Sequence, residues 1–366
     1  MGTPRLTAEP LRWLGAPAPG GLALPAARPN RVQLYAPRGV YVDDRAVVVA
    51  DTGNHRILIW HGWPETDHQP ADVVVGHADF EAEGPGLLHL PTGVAVVEGR
   101  LFVADAWHHR ILIWDALPEK NGQPPDRVLG QPDLDSTEPN RGAEAGPLGF
   151  YWPYGFAYVN GWFYVADTGN RRVLGWRGLP DGHGPPDLVL GQPDMYSHAE
   201  NRGRGVGADT FRWPHAVVGD GTTLYVADAG NHRVLGFTPP PDADRPADLL
   251  LGQEGFDRAF ELPHIPQGPR RLRFPYSAAL CGEHLAVADT ANNRVLLFPG
   301  PPREGMYPAA TGVIGQSNFD DSGENRWQAV RRDTLCWPYG LWCHKNLLAV
   351  ADSGNNRVLV WRLALS

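Results

Sequence analysis

The chain has 366 residues, 42% of them hydrophobic and 20% charged, with 43 Gly, 36 Pro and 3 Cys. A formal charge of −9 excludes a surface built throughout to meet phosphate backbones, leaving room only for a local basic patch. No run approaches the about 18 apolar residues of a membrane helix, the start MGTPRLTAEPLRWLG lacks a secretory apolar core, and three sparse cysteines make no disulfide framework, so a cytoplasmic protein is expected.

The first strand signal is short, at residues 11–15. Pro37-Arg38-Gly39 then opens an apolar run, and a brief turn leads to a strand ending in Val49-Ala50-Asp51. A tight turn carrying Asp51, Asn54 and Arg56 feeds a third strand over 57–60, and a Pro-rich link precedes a fourth, VVVGH at 73–77. These runs are β-branched or Leu-rich and bounded by Gly, Pro, Asp and Asn, as strands buried on both faces should be. The same A-B-C-D order recurs down the chain. The Val-Ala-Asp copies place their aspartates at 51, 105, 167, 228, 289 and 352, spaced 54 to 63 residues apart. A period of this size means one supersecondary unit per repeat, none able to bury its apolar face alone.

The pattern predicts an all-β fold: a six-bladed β-propeller of four-stranded antiparallel blades, forming a single domain over 1–366. The last period stops after its third strand, near Trp361. The missing outer strand is at the other terminus, so residues 11–15 should pair with the last blade, close the ring and cover two strand edges.

The turns of type ADTGNHRIL that follow Pro-x-Gly strands resemble NHL repeats, and the VLGQPD spacers (128–133, 189–194) are similar to a bacterial subgroup of long NHL repeats. The resemblance covers residues 11–362 and itself implies a six-bladed propeller. It also implies two possible activities. Some relatives with this fold are lyases or lactone hydrolases with a metal held by His, Glu or Asp around the axis, and others bind single-stranded RNA on one face.

The repeated Asp, Asn and Arg read as structural, because catalysis needs one constellation whereas six equivalent copies imply a common task in the turn. The tryptophans that end third strands (60, 114, 176, 361) and those that precede the blade-opening Pro (152, 213, 337, with Phe274) read as wedges between blades. Cys336 and Cys343 lack chelating spacing and read as buried thiols.

Function is sought at one rim, where strand A starts and where strands B and D return, so that the B–C turns and the long D–A links crowd together. The middle residue of each Pro-x-Gly gives a candidate axial ring of Arg38, Thr92, Tyr154, His215, Tyr276 and Tyr339, suited to a small anionic or aromatic ligand or an inserted peptide. Candidate rim residues are Trp107 and His108, which break the repeat pattern, and Arg141, Arg202, Arg271 and Arg326 in the links. These suggest an acidic or anionic partner or, more simply, arginines that pin the links. The favoured reading is a non-enzymatic scaffold gripping a protein partner by this rim. The alternatives are a propeller enzyme with a small-molecule site at the axial mouth, and RNA binding. The ring has no Glu and one His, so no cofactor is predicted. A Zn or Ca ion at the axis is what the enzymatic relatives would imply.

Overall fold

In this computed structural model, which describes residues 6–182, 184–261 and 267–365, the chain forms six antiparallel sheets arranged as propeller blades. The first blade consists of Gly39–Val42, Ala46–Asp51, Arg56–His61 and Val73–Val75, in that order from axis to outside. The next four blades begin at Val94, Pro153, Pro214 and Pro275 and repeat the order. In the last, Pro338–His344, Leu347–Asp352 and Arg357–Leu365 are followed outward by Leu6–Gly15. That outer strand runs from Leu6↔Leu365 to Gly15↔Arg357 with a bulge between Pro10 and Arg12. Both partners are longer than the sequence suggested, because each supplies the other with ladder hydrogen bonds past the body of the blade.

The middle strands are buried along most of their length, and Ala46–Asp51 and Leu224–Asp228 are covered at every residue. Neighbouring blades cover both faces, so the strands read as continuous apolar runs rather than alternating ones. The interblade cores continue around the ring. Phe102, Trp114 and Phe163 fill the second and third blades. At the closure, Leu14, Val358 and Val360 pack with Val47, Val49 and Trp60. The third-strand tryptophans are wedges as expected: Trp60 and Trp114 are fully buried, their indole N–H groups donating to the carbonyls of Gln69 (2.9 Å) and Gln123 (3.0 Å).

After each repeated Asp the chain makes a single 3-10 turn and one left-handed residue, with φ between 53° and 56° at His55, His109, Arg171, His232, Asn293 and Asn356. The Asp organises this turn. Asp51 Oδ1 accepts from the Tyr35 N–H (2.6 Å), while Oδ2 accepts from Asn54 (2.8 Å) and Arg56 Nε (2.8 Å). Arg56 is fully buried and reaches beyond the turn. Its Nη1 donates to the Phe80 carbonyl (2.5 Å) and its Nη2 to those of Asn30 (2.8 Å) and Gln33 (3.2 Å). One arginine thus fastens the link that enters its blade and the link that leaves it, with every hydrogen bond charge-assisted.

The fourth blade has an addition. Gly305–Met306, from the link between the last two strands of the fifth blade, pairs parallel with Leu249–Leu251. It covers an edge that would otherwise expose unpaired backbone. Near the axis, strand A of one blade crowds the next. A Cβ on Gly155 would stand 2.6 Å from the His215 carbonyl, and one on Gly39 would overlap the Thr92 carbonyl. Glycine after the middle residue of Pro-x-Gly therefore permits a narrow neck.

Candidate functional site

The six axial candidates come together at that neck. The Arg38 guanidinium lies over the Tyr339 ring (4.8 Å), Tyr339 stacks on Tyr276 (4.6 Å), Tyr276 meets His215 (4.3 Å) and His215 meets Tyr154 edge-on (4.4 Å). Thr92 closes the circuit by donating its hydroxyl to the Tyr154 carbonyl (2.8 Å). His215 is buried, and its Nδ1 sits 2.9 Å from the Trp213 carbonyl, so Nδ1 carries the proton. Burial pulls its pKa down to about 3, leaving the ring neutral near pH 7. Burial raises the pKa of the Tyr154 and Tyr276 phenols above the ordinary 10.0, so Arg38 is the charged member.

The stacked side chains fill the neck and leave the space on its inner side open. An axial cavity of about 480 Å³ runs along the six A strands, from Arg38 and Tyr154 at the neck to Glu98 and Cys343 at the A–B hairpins. Its wall is mostly Val, Ala, Leu and aromatic carbon. Among the described residues no cluster of three His, Cys, Asp or Glu side chains is arranged to hold a metal ion.

On the rim, Trp107 is 42% exposed and packs against His89 (5.9 Å) and Trp152 (5.2 Å). His108 Nδ1 lies 3.0 Å from Asp105 Oδ2, taking the place the turn asparagine has in the other blades. The four candidate arginines are not gathered; each sits in its own link. Arg202 donates to Asp209 (2.8 Å) and Asp244 (2.5 Å), Arg326 to Asp333 (2.8 Å), Arg271 to Glu254 (3.4 Å), and Arg141 Nε to the Gly130 carbonyl (3.4 Å). The asparagine before three of them pairs with a turn asparagine: Asn140 with Asn170, Asn201 with Asn231, Asn325 with Asn355. Both halves of the Asn-Arg pieces therefore hold the links in place.

Three features differ from, or are missing in, the sequence reading. The aromatics before the blade-opening Pro are not buried wedges. Trp152 and Trp337 are 37% and 39% exposed, because left-handed backbone (φ 62° and 52°) sets them on the surface beside the neck. Cys343 is not a free thiol but is bonded to Cys281, 62 residues away, leaving Cys336 as the buried thiol. The two sit at nearly the same place on adjacent inner strands, and a separation of one period hid the pairing in the sequence.

The third feature is a latch between blades. In five of the six turns the left-handed residue accepts a hydrogen bond from the backbone N–H beside the next blade's neck. His55 Nδ1 accepts from Leu90 (3.2 Å), His109 Nδ1 from Trp152 (3.1 Å), His232 Nδ1 from Phe274 (3.2 Å), Asn293 from Trp337 (2.9 Å) and Asn356 from Ala36 (2.9 Å). Arg171 has no acceptor and instead donates to the Gly169 (2.8 Å) and His198 (3.3 Å) carbonyls. The signal was available in the six aligned copies, where this position reads His, His, Arg, His, Asn, Asn.

The NHL repeat family model matches residues 34–60 and 88–114, the inner three strands of the first two blades. The match is confined to these two blades. No curated protein matches the chain at a significant level. Among solved structures, a Bacteroides thetaiotaomicron protein of unknown function is similar over 98% of this chain and 76% of its own, with 12% identity and a TM-score of 0.55. A putative 6-phosphogluconolactonase from Bacteroides uniformis is similar over 98% and 92%, at 12% identity and TM-score 0.50. Hydrazine synthase from Kuenenia stuttgartiensis is similar over 94% and 99%, at 14% identity and TM-score 0.50. At these identities the likeness is one of fold.

Proposed function

We propose that this propeller is a binding module whose long-link rim docks a protein partner. One observation carries the reading. Among the described residues, every large hydrophobic side chain that is exposed, apart from Met306, lies on a D–A link or a B–C turn. Tyr35, Trp107, Tyr151, Trp152 and Trp337 stand around the neck, and Trp327 is 83% exposed further out. Rigid aromatics on a preformed surface supply contact area at low entropic cost and dominate protein interfaces. The hydrogen-bonded links that hold them reduce the ordering cost of docking. The arginines tied to Asp209, Asp244, Asp333 and Glu254 are already neutralised locally, which favours a protein over an RNA partner.

A photo-crosslinking residue placed at Tyr151, in the cell that makes the protein, should trap one defined partner. The same residue at Asn346, on the opposite rim, should trap none, and Trp107→Ala with Trp152→Ala should abolish the Tyr151 product. Equal crosslinking from both rims, or a product indifferent to the two tryptophans, would refute the reading. A cytoplasmic location remains part of the proposal. It requires the Cys281–Cys343 pair to persist in a reducing compartment, which thiol labelling at lysis tests directly.

A further inference from the structure

The axial cavity has a chemistry of its own, independent of the rim. Its wall is formed by Val96, Phe156, Val218, Leu280 and their neighbours, and its two charged lining groups are at opposite ends: Arg38 at the neck and Glu98 at the exposed A–B hairpin. Arg38 forms no ion pair with any carboxylate among the described residues. Its neighbours are the phenols of Tyr154, Tyr276 and Tyr339, and burial keeps those of Tyr154 and Tyr276 protonated. Its Nε is buried with no hydrogen-bond partner, and the Tyr154 hydroxyl, which lies against the guanidinium, has no acceptor for its own proton. A partly buried guanidinium facing an apolar cavity without a counter-ion is an unsatisfied arrangement. Burial costs it solvation, and what faces it in return is the Tyr339 ring and phenol oxygens rather than an anion. Tyr154 adds a donor in search of an acceptor at the same end.

A ligand matching this cavity has a slender apolar body for the wall and one anionic acceptor group for the Arg38 end. The size lies within the range of small-molecule sites, and an apolar lining with a few convergent polar groups is their usual make-up. Access is from the hairpin end, since stacked rings occupy the neck. Glu98 there repels an anion, so a bound ligand is oriented with its charge inward. We propose that the axial cavity binds an aliphatic monocarboxylate, its chain along the apolar wall and its carboxylate between Arg38 and the Tyr154 hydroxyl.

Calorimetric titration of the full chain with octanoate, decanoate and dodecanoate, each against its matched alcohol, tests this. Saturable binding of one carboxylate per chain is expected. Arg38→Met should weaken carboxylate binding roughly ten- to hundredfold, the worth of a hydrogen bond to a charged group, and leave the alcohols unchanged. Val96→Phe, which fills the cavity, should weaken both. A Val218→Phe variant provides the same test if the first fails to fold, as judged by its melt. No binding by a folded wild-type chain, carboxylate affinity unaffected by Arg38→Met, or multiple weak sites insensitive to both variants would each overturn the proposal. None of these outcomes bears on partner docking at the rim, which is read by crosslinking.

Discussion

Replacing Arg233 with Met tests whether the repeated arginines hold the propeller together. Arg233 is fully buried and makes five hydrogen bonds: to Asp228 Oδ2 (2.9 Å), to the carbonyls of Phe256 (2.9 Å), Gly207 (3.0 Å) and Thr210 (2.8 Å), and to the Thr210 hydroxyl (3.5 Å). Methionine keeps much of the volume but strands a buried carboxylate and three carbonyls on two links. Breaking one side of a buried pair costs about 3–5 kcal/mol, because the remaining charge is left uncompensated. At ~2.1 cal/mol/K per residue, 366 residues give an unfolding entropy of roughly 0.8 kcal/mol/K, so this cost lowers Tm by about 4–6 °C. Arg326→Met is the control. Its partner Asp333 is about half exposed, and surface pairs contribute about 0–1 kcal/mol, so its Tm should fall by no more than about 1 °C. The assay is calorimetry at one scan rate for both variants. Arg233→Met melting within about 1 °C of wild type, or no lower than Arg326→Met, would refute the claim that the buried fork is structural.

The latches give a pH dependence. Burial lowers the pKa of His109 and His232 from the ordinary 6.5 to about 4, so the folded state binds fewer protons than the unfolded chain between those values, and stability rises with pH across that window and levels off above 6.5. At pH 5 each costs roughly 2 kcal/mol relative to pH 7. The double variant His109→Asn, His232→Asn, using the residue type found in the last two blades, should therefore lose less Tm on acidification; an acid loss equal to wild type would rule the latch out. Deleting residues 1–15 removes the outer strand opposite Arg357–Leu365 and should produce aggregation or a broadened melt, whereas an unchanged cooperative transition would exclude a closing role for that strand. Denatured under non-reducing conditions, the chain should show one titratable thiol, Cys336, and after reduction three; three at the outset would exclude the Cys281–Cys343 bond.

The sequence alone determined the blade count, the strand order within each blade and the side of the wheel on which the long links gather. It could do so because a repeated unit states its hydrophobic period and turn chemistry six times, and those depend on neighbours a few residues away. It also placed the six neck residues on a common ring, since equivalent positions in equivalent blades must face one axis. What those residues do there was decided only by the tertiary structure. Whether Arg38 meets a carboxylate or a phenol depends on which blades its side chain reaches, from Tyr339 on one side to Tyr154 on the other. The exposure of Trp152, the Cys281–Cys343 bond and the His109 latch are likewise contacts between blades. Residues a full period apart carry no local signal of meeting, and the curvature of the closed ring determines which of them touch.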